Sequence, residues 1–398
     1  MPRKPNFLIL LLLISFASVM AVFFTPALPE ITDYFHITPD AAQFTVTLYL
    51  LGYALGQLPY GPLSNAWGRK PTLYFAIALE LMGAIICILS GPLHSFWLLN
   101  IGRFLTAIGA SAGLVMSFTL IHDCYSVDES RRMVSYAIMG FAIMPGVSVA
   151  LGGLLVQHFG WQGCFYFPVF YGLFLLGLVS FLPETLKPES KQTLNLTQSL
   201  KNYSVLLKDK ILMRYALTMG VSGAIVYSYN AQAPFLGIDT MKLSPEIFGL
   251  FNLLPSLGFF LGSFCSAQIS KHFKAHDALK IGLSFIFLGI TAMVLFFVNH
   301  WINPYGFFIS STVVFFGLTF MFSNASSLAT GHITDKSNAS GMMNFINVSF
   351  CFLGVLLLQA IHSENILTLP LLLVTFFVMM AYLARAFTRS EGTLEKTS

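Results

Sequence analysis

Residues 52–73, GYALGQLPYGPLSNAWGRKPTL, end one apolar segment, make a short turn and begin another apolar segment. Gly52 and Gly56 lie four residues apart, so they share one face of a helix where a second helix can approach closely. Arg69 and Lys70 follow in the turn. Adjacent cations between apolar segments are typical of the place where a membrane meets the cytoplasm. The stretch therefore indicates two membrane-spanning helices that are joined on the cytoplasmic side.

The composition of the whole chain supports a membrane protein. Of its 398 residues, 56% are hydrophobic and only 10% are charged, and the mean hydropathy is +0.75. A soluble protein carries about 25% charged residues. Apolar windows long enough to cross a bilayer recur at residues 6–27, 43–63, 72–91, 96–121, 133–156, 163–182, 211–235, 246–268, 278–298, 304–327, 341–361 and 365–387. The sequence thus predicts about twelve membrane helices.

The first window could be mistaken for a secretory signal, because it follows Arg3 and Lys4. Its apolar run continues to Phe24, which is longer than a signal core, and further spans follow. The five cysteines are scattered over different spans with neither a disulfide framework nor zinc spacing. We therefore expect a membrane helix at the start of the chain, and neither a cofactor nor a metal.

Lysine and arginine predict the orientation. Almost all of them fall on one side of the predicted spans, and Lys242 alone falls on the other side. Basic residues accumulate in cytoplasmic loops, so both termini are expected in the cytoplasm. The net charge of +4 follows from this asymmetry and does not indicate a nucleic-acid partner.

One long polar segment, residues 183–210, divides the predicted spans six and six. We therefore expect an N-terminal half at 1–182, a cytoplasmic linker at 183–210, a C-terminal half at 211–390 and a cytoplasmic tail at 391–398. A shift of about 206 residues places LGSFCSAQISKHFK on LGQLPYGPLSNAWG, a weak internal similarity. Two duplicated six-helix halves are typical of transporters, whose substrate site lies near mid-membrane between the halves.

The turn also carries a resemblance. GPLSNAWGRK at 61–70 resembles the loop between the second and third helices of the major facilitator superfamily, and LGYALGQLPYGPLSNAWGRKP resembles Bcr/CflA-type drug:proton antiporters. The resemblance implies an all-α membrane fold of two pseudo-symmetric six-helix halves. We call residues 61–70 the gating loop, because the resemblance implies that they gate sliding between the halves; its candidate residues are Gly61, Asn65, Gly68, Arg69 and Lys70. Simple anchoring at the membrane surface is the alternative.

Asn65 departs from the family, which usually has an aspartate at this position. An asparagine side chain can cap a helix or form hydrogen bonds, but it cannot form a salt bridge. The departure weakens the expectation of a charge relay through the gating loop.

Arg103 is the only cation well inside a predicted span. A charge in the bilayer is costly and normally marks a functional site or a structural pair. The segment LLNIGRFLTAIGASAG resembles the fourth-helix motif of the superfamily, with Arg103 and Gly109 matching. The resemblance implies that Arg103 takes part in proton coupling or contacts substrate; a static ion pair is the alternative.

Glu80 is the only acid deep inside a predicted span. A carboxyl group without a partner in the bilayer favours its neutral form, so Glu80 could carry a proton or pair with Arg103. Relatives usually have an apolar residue here, which favours a supporting or lipid-edge role. Helix counting separates the depths of Glu80 and Arg103 by about 6 Å, which does not favour direct contact.

The fifth span, GFAIMPGVSVALGGLL, contains Pro145, Gly152 and Gly153. These three residues resemble the antiporter motif of drug exporters, although Ser148 and Val149 stand where that motif has a small residue and a second proline. Close helix packing alone is the alternative explanation of such a run.

Aromatic and amide side chains could line a substrate cavity. A wide pocket with few polar groups suits amphipathic ligands. Each of these side chains could instead hydrogen-bond a neighbouring helix. The candidates are Tyr49, Tyr53, Tyr227, Tyr229, Asn230, Asn344 and Asn347.

The first helix shows the largest departure from the family, because Ala21 stands where an aspartate is common. With this reservation, the sequence favours a monomeric exporter of small amphipathic compounds in a bacterial inner membrane, driven by a proton gradient. A transporter of one metabolite, such as a siderophore or an amino acid, with altered or absent proton coupling is the first alternative. A polytopic enzyme would need an intramembrane cluster of catalytic residues, and the sequence shows none.

Overall fold

The computed structural model describes residues 4–186, 204–270, 272–330, 333, 336–361 and 365–394. Within these ranges every regular element is helical. The α-helices are α1 (Phe7–Val22), α2 (Leu28–Phe35), α3 (Pro39–Trp67), α4 (Arg69–Ser90), α5 (Phe96–Cys124), α6 (Val127–Ser180), α7 (Lys210–Pro234), α8 (Pro245–Phe251), α9 (Leu253–Ile269), α10 (Ala275–Val298), α11 (Pro304–Thr330), α12 (Lys336–Ala360) and α13 (Thr368–Leu394).

The helices correspond to the predicted spans. Nine stretches in the described part of the chain are long and apolar enough to cross a membrane. One of them, Ile143–Ser180, carries two predicted windows, because α6 is interrupted at Gly160, where φ is 69° and ψ is −179°. The two remaining windows correspond to α3 and to the apolar part of α13, Thr368–Ala384. The prediction of an all-α membrane protein is confirmed.

The chain forms two compact units. The first extends to Tyr203 and also includes Leu243–Leu250, and the second contains Ser204–Lys242 and the chain from Phe251 onward. In the first unit α5 packs against α1, α3 and α4; in the second, α11 packs against α7, α9 and α10. This repeated pattern agrees with duplicated halves. Residues 187–203 of the predicted linker and the tail from 395 lie outside the described residues, so the predicted domain bounds stay predictions.

Small residues allow α5 to approach α3 and α4 closely. A Cβ atom at Gly52 would lie 2.6 Å from the carbonyl oxygen of Phe104, and one at Gly56 would lie 3.0 Å from Cα of Ile108. The prediction that Gly52 and Gly56 share a contact face is therefore confirmed. On the other side of α5, a Cβ atom at Gly109 would overlap backbone atoms of α4. The tight packing holds the backbone of α5 close to α3 and α4.

The first span is interrupted. α1 ends at Val22, a 3₁₀ turn follows at Thr25–Ala27, and α2 begins at Leu28. Pro26 lacks the N–H that would continue the α-helical ladder; the hydroxyl of Thr25 donates instead to the carbonyl of Val22, at 2.8 Å. The last carbonyls of a helix have no partner within it. The interruption therefore places carbonyl acceptors inside the first span.

Candidate functional site

Arg103 lies about two turns into α5. This helix begins after Ser95, whose hydroxyl caps it by accepting from the N–H of Leu98. The arginine is only 2% exposed. Its Nη1 donates to the carbonyl oxygen of Met20, at 2.9 Å, and its Nη2 lies 3.5 Å from that of Ala21. Both carbonyls belong to the last turn of α1. Arg103 thus binds the helix end that the interrupted first span provides.

Two aromatic rings enclose the guanidinium group. Its central carbon lies 3.9 Å from the ring centroid of Phe24 and 4.2 Å from that of Tyr49. The hydroxyl of Tyr49 donates to the carbonyl of Ala17 at 2.8 Å, which holds the ring in place. A cation over an aromatic face gains most when water is excluded, as it is at this buried site. α1 therefore supplies the two carbonyls, Phe24 just after it supplies one ring, and Tyr49 of α3 supplies the other ring.

No carboxylate pairs with Arg103 among the described residues, and its Nε lacks a hydrogen-bond partner there. The static ion pair considered from the sequence is therefore absent from this part of the chain. Ala21, which replaces the family's aspartate, contributes its backbone oxygen instead. The C-terminal end of a helix carries a partial negative charge that stabilises a cation.

Glu80, on α4, is fully buried, and neither carboxyl oxygen has a hydrogen-bond partner within the described residues. The carboxyl group lies against α6, since a Cβ atom at Gly172 would be 2.5 Å from Oε2. Without a partner the ionised form would be costly, so these surroundings favour a neutral carboxyl. The structure does not bring Glu80 and Arg103 into direct contact.

The gating loop is held by Arg69. Its Nε donates to Oδ2 of Asp123 at 3.1 Å, and its Nη1 donates to the carbonyl of Ser64 and to Oδ1 of Asn65, both at 2.9 Å. Asn65 thus serves as a neutral acceptor, and Asp123, at the end of α5, supplies the carboxylate. Asp123 belongs to the same compact unit as Arg69.

The other gating-loop residues occupy different surroundings. Gly68 has φ of 113°, in the region that favours glycine. Nζ of Lys70 donates to the carbonyl of Ser180, at the end of α6. A Cβ atom at Gly61 would meet nothing within 4 Å. Gly61 is therefore free of close packing among the described residues.

The residues of the antiporter-like motif lie at close backbone contacts. A Cβ atom at Gly152 would overlap the carbonyl of Phe23, where α1 is interrupted, and one at Gly153 would overlap the carbonyl of Pro245, in the short segment that belongs to the first unit. The carbonyl of Pro145 accepts from the hydroxyl of Ser148 at 2.7 Å. These contacts agree with the packing explanation of the motif.

The candidate cavity residues fall into both units. Tyr49 and Tyr53 are buried in the first. In the second, Tyr229 donates to Oδ1 of Asn252 at 2.9 Å and packs against two phenylalanine rings. Asn230 donates to a carbonyl of its own helix. Asn347 faces Gly223 of α7, and Tyr227 and Asn344 are half-buried.

Two features of the site were not predicted from the sequence. The ring of Phe24 and the carbonyls of Met20 and Ala21 surround Arg103, although they lie about 80 residues earlier in the chain. Pro26 was the available signal, because a proline lacks the N–H that would continue the α-helical ladder. No group of three or more potential metal ligands occurs in the described ranges.

Comparison with known proteins agrees with this architecture. The sequence profile of the Major Facilitator Superfamily matches residues 8–357. An uncharacterized transporter of Rickettsia felis is 33% identical over 70% of this chain and 68% of its own length. A bicyclomycin resistance protein homolog of Haemophilus influenzae is 26% identical over 68% of each chain. A crystal structure of a D-xylose-proton symporter superimposes with a TM-score of 0.75 at 13% identity, covering 95% of this chain and 96% of that one.

Proposed function

Since the chain belongs to the Major Facilitator Superfamily and is thus a transporter and not an enzyme, we propose that it exports small amphipathic compounds in exchange for protons. The relative named for bicyclomycin resistance supports export of a drug-like compound, as does a chloramphenicol resistance protein of Pseudomonas aeruginosa, 33% identical over 42% of this chain. A proton gradient is the proposed energy source, and no cofactor is invoked.

The observation that carries the proposal is the enclosure of Arg103. A guanidinium well inside a span is costly to bury, and this one is held by backbone carbonyls and ring faces alone in the described residues. Such contacts can be exchanged for those of a substrate or of water without leaving a buried carboxylate uncompensated. Arg103 is therefore the residue we assign to coupling or to substrate contact.

A transporter of one metabolite, with altered or absent proton coupling, is the second candidate. Ala21 favours this candidate. Arg103 faces the backbone carbonyl of Ala21 at the end of α1 instead of a carboxylate, and a carbonyl has no proton to exchange. Glu80 is then the remaining buried acid of the described spans, and it lies on a packing surface.

Transport into inside-out vesicles distinguishes the two candidates. Chloramphenicol and bicyclomycin are the first probes, each measured with and without an imposed proton gradient. Export by proton exchange predicts uptake that follows the gradient and stops when a protonophore collapses it. Gradient-independent uptake of either probe would support the second candidate, and no uptake of any drug-like probe in vesicles that contain the protein would contradict drug export.

We further propose a monomer in a bacterial inner membrane with both termini in the cytoplasm. The charge asymmetry of the loops supports this orientation. It places the gating loop on the same side as the proposed source of substrate.

A further inference from the structure

The first residues after α6 fold back onto the start of α4. Oε1 of Glu184 accepts a hydrogen bond from the backbone N–H of Arg69, and Oε2 accepts one from that of Lys70, both at 3.0 Å. The N–H groups of the first helical turn have no partner within the helix. Gly68, the residue before α4, has no side chain and makes no cap. A carboxylate 115 residues later in the chain therefore performs the capping.

Gly68 leaves the space that this carboxylate occupies. A Cβ atom at Gly68 would lie 2.8 Å from Oε2 of Glu184, which is closer than Cβ atoms approach other groups. The positive φ of Gly68 also disfavours any other residue. Gly68 of the gating loop is thus required by the backbone and by the side chain of Glu184.

Two further contacts join the same pieces of chain. The hydroxyl of Thr185 donates to Oδ2 of Asp123, the oxygen that also accepts from Arg69. Nζ of Lys70 donates to the carbonyl of Ser180. A single exposed ion pair contributes little to stability. Here the two backbone N–H donors of α4 and the side chains of Thr185 and Lys70 act together. The carboxylate of Glu184 also gains from the dipole of the helix whose N-terminus it caps.

We propose that Glu184 is a positioning residue for the gating loop. It caps α4 from the start of the linker, and with Thr185 it fixes Arg69 between Asn65 and Asp123. The linker then does more than connect two halves, because its first residues set the conformation of the loop. The effect on transport rests on the proposed function, whereas the effect on the loop itself does not.

Cysteine labelling tests the effect on the loop. Ser64→Cys changes one atom at a position that is 1% exposed and whose carbonyl accepts from Arg69. In a Cys265→Ser background the other native cysteines are buried, so maleimide reacts with the reporter only when the loop opens. We expect Glu184→Ala to raise the labelling rate about fivefold, the factor that corresponds to a lost helix cap. Glu184→Gln should raise it less, because an amide oxygen satisfies one of the two N–H donors.

Asp209→Ala is the matched control. Asp209 caps α7 of the second unit by accepting from the N–H of Leu212, so its loss removes a helix cap without touching the loop. Its labelling rate at Ser64→Cys should equal that of the parent. A parental rate in Glu184→Ala, or an equal rise in Asp209→Ala, would overturn the proposal whatever the transport assay shows.

Transport is measured on the same proteins in vesicles. We expect Glu184→Ala to lower the maximal rate more than the apparent affinity, since a loosened loop changes the conformational step and not the substrate contacts. If the labelling rate rises in Glu184→Ala but the parent protein transports no probe, the proposed function is refuted. The role of Glu184 in positioning the loop then still stands. An opened loop with an unchanged maximal rate would overturn the link between loop position and transport.

Discussion

Glu80 and Arg103 lie on adjacent helices, yet the carboxyl group packs against Gly172 of α6 while the guanidinium points at the end of α1. In the described part of the chain they form no ion pair, and Glu80 has no hydrogen-bond partner at all. The two groups therefore have separate surroundings. Substitutions at one should not be rescued by substitutions at the other, which allows each to be tested alone.

Arg103→Ala should abolish gradient-driven transport at equal amounts of inserted protein, because it removes the guanidinium from both carbonyls and both rings. Arg103→Lys should retain part of the activity, since an ammonium can bond a carbonyl but cannot lie flat between two rings. Tyr49→Phe is the matched control: it keeps the ring and loses one hydrogen bond, at a cost of about 1 kcal/mol of stability. Wild-type transport by Arg103→Ala would remove Arg103 from the mechanism.

Gly172→Ala should destabilise the protein by about 1–3 kcal/mol, because the new methyl group would lie 2.5 Å from Oε2 of Glu80 and 2.8 Å from Cδ2 of Leu81. In a Glu80→Ala background the same substitution should cost less, since the carboxyl group is gone. Thermal unfolding of the four proteins measures this difference. Equal costs in both backgrounds would show that Glu80 does not occupy this contact.

Glu80→Gln should leave both the unfolding temperature and the pH dependence of transport close to wild type. The amide has nearly the shape of a neutral carboxyl, and Glu80 lies on a packing surface. Transport rates at a series of pH values provide the measurement. A flattened pH profile would instead assign the transported proton to Glu80.

Gly109→Ala should lower the unfolding temperature, because its Cβ atom would overlap backbone atoms of α4 that cannot move independently. Gly177→Ala, on α6, is the control, since its Cβ atom meets nothing within 4 Å. Both are glycine-to-alanine changes within helices, so their helix propensities change alike. Equal unfolding temperatures would contradict the close contact between α4 and α5.

Gly61→Leu and Arg69→Ala should both impair transport while the protein stays inserted. A Cβ atom at position 61 would meet nothing within 4 Å among the described residues, so a loss of activity in an inserted protein would point to the conformational step. Asn65→Asp should be tolerated or should improve coupling, because it keeps the acceptor for Arg69 and adds a charge. Full activity of Gly61→Leu would mean that the loop only anchors the helices.

Cysteines introduced at Lys242 and His158 should react with an impermeant maleimide from outside the cell. Cysteines at Arg131 and Lys191 should react only after the membrane is opened. These expectations follow from the charge asymmetry of the loops. A cytoplasmic Lys242 would overturn the number of spans.

Hydropathy was sufficient to predict the helices, because each span must present an apolar surface to lipid over its whole length. It could not show where the backbone of a span stops. The apolar run of the first window continues through Phe24, whereas α1 ends at Val22. Likewise, α3 contains Pro59 and Pro62 and continues through both of them. Hydrogen bonding within the folded chain decides whether a helix ends or continues at such a residue.

The candidate site was predicted in part. The cost of a buried charge singled out Arg103, and its burial in the structure agrees with that argument. Its partners could not be predicted, because a backbone carbonyl is present in every residue and only the fold selects those of Met20 and Ala21. The capping role of Glu184 could not be predicted for the same reason, since its partners are the backbone N–H groups of Arg69 and Lys70.

The enclosure of Arg103 has an electrical consequence. A carboxylate beside the guanidinium would cancel its charge, whereas two carbonyls and two rings leave a whole positive charge within the span. The membrane voltage does work of about 2.3 kcal/mol on each elementary charge that crosses 100 mV. Any movement of Arg103 along the membrane normal during the transport cycle is therefore driven or opposed by the voltage itself.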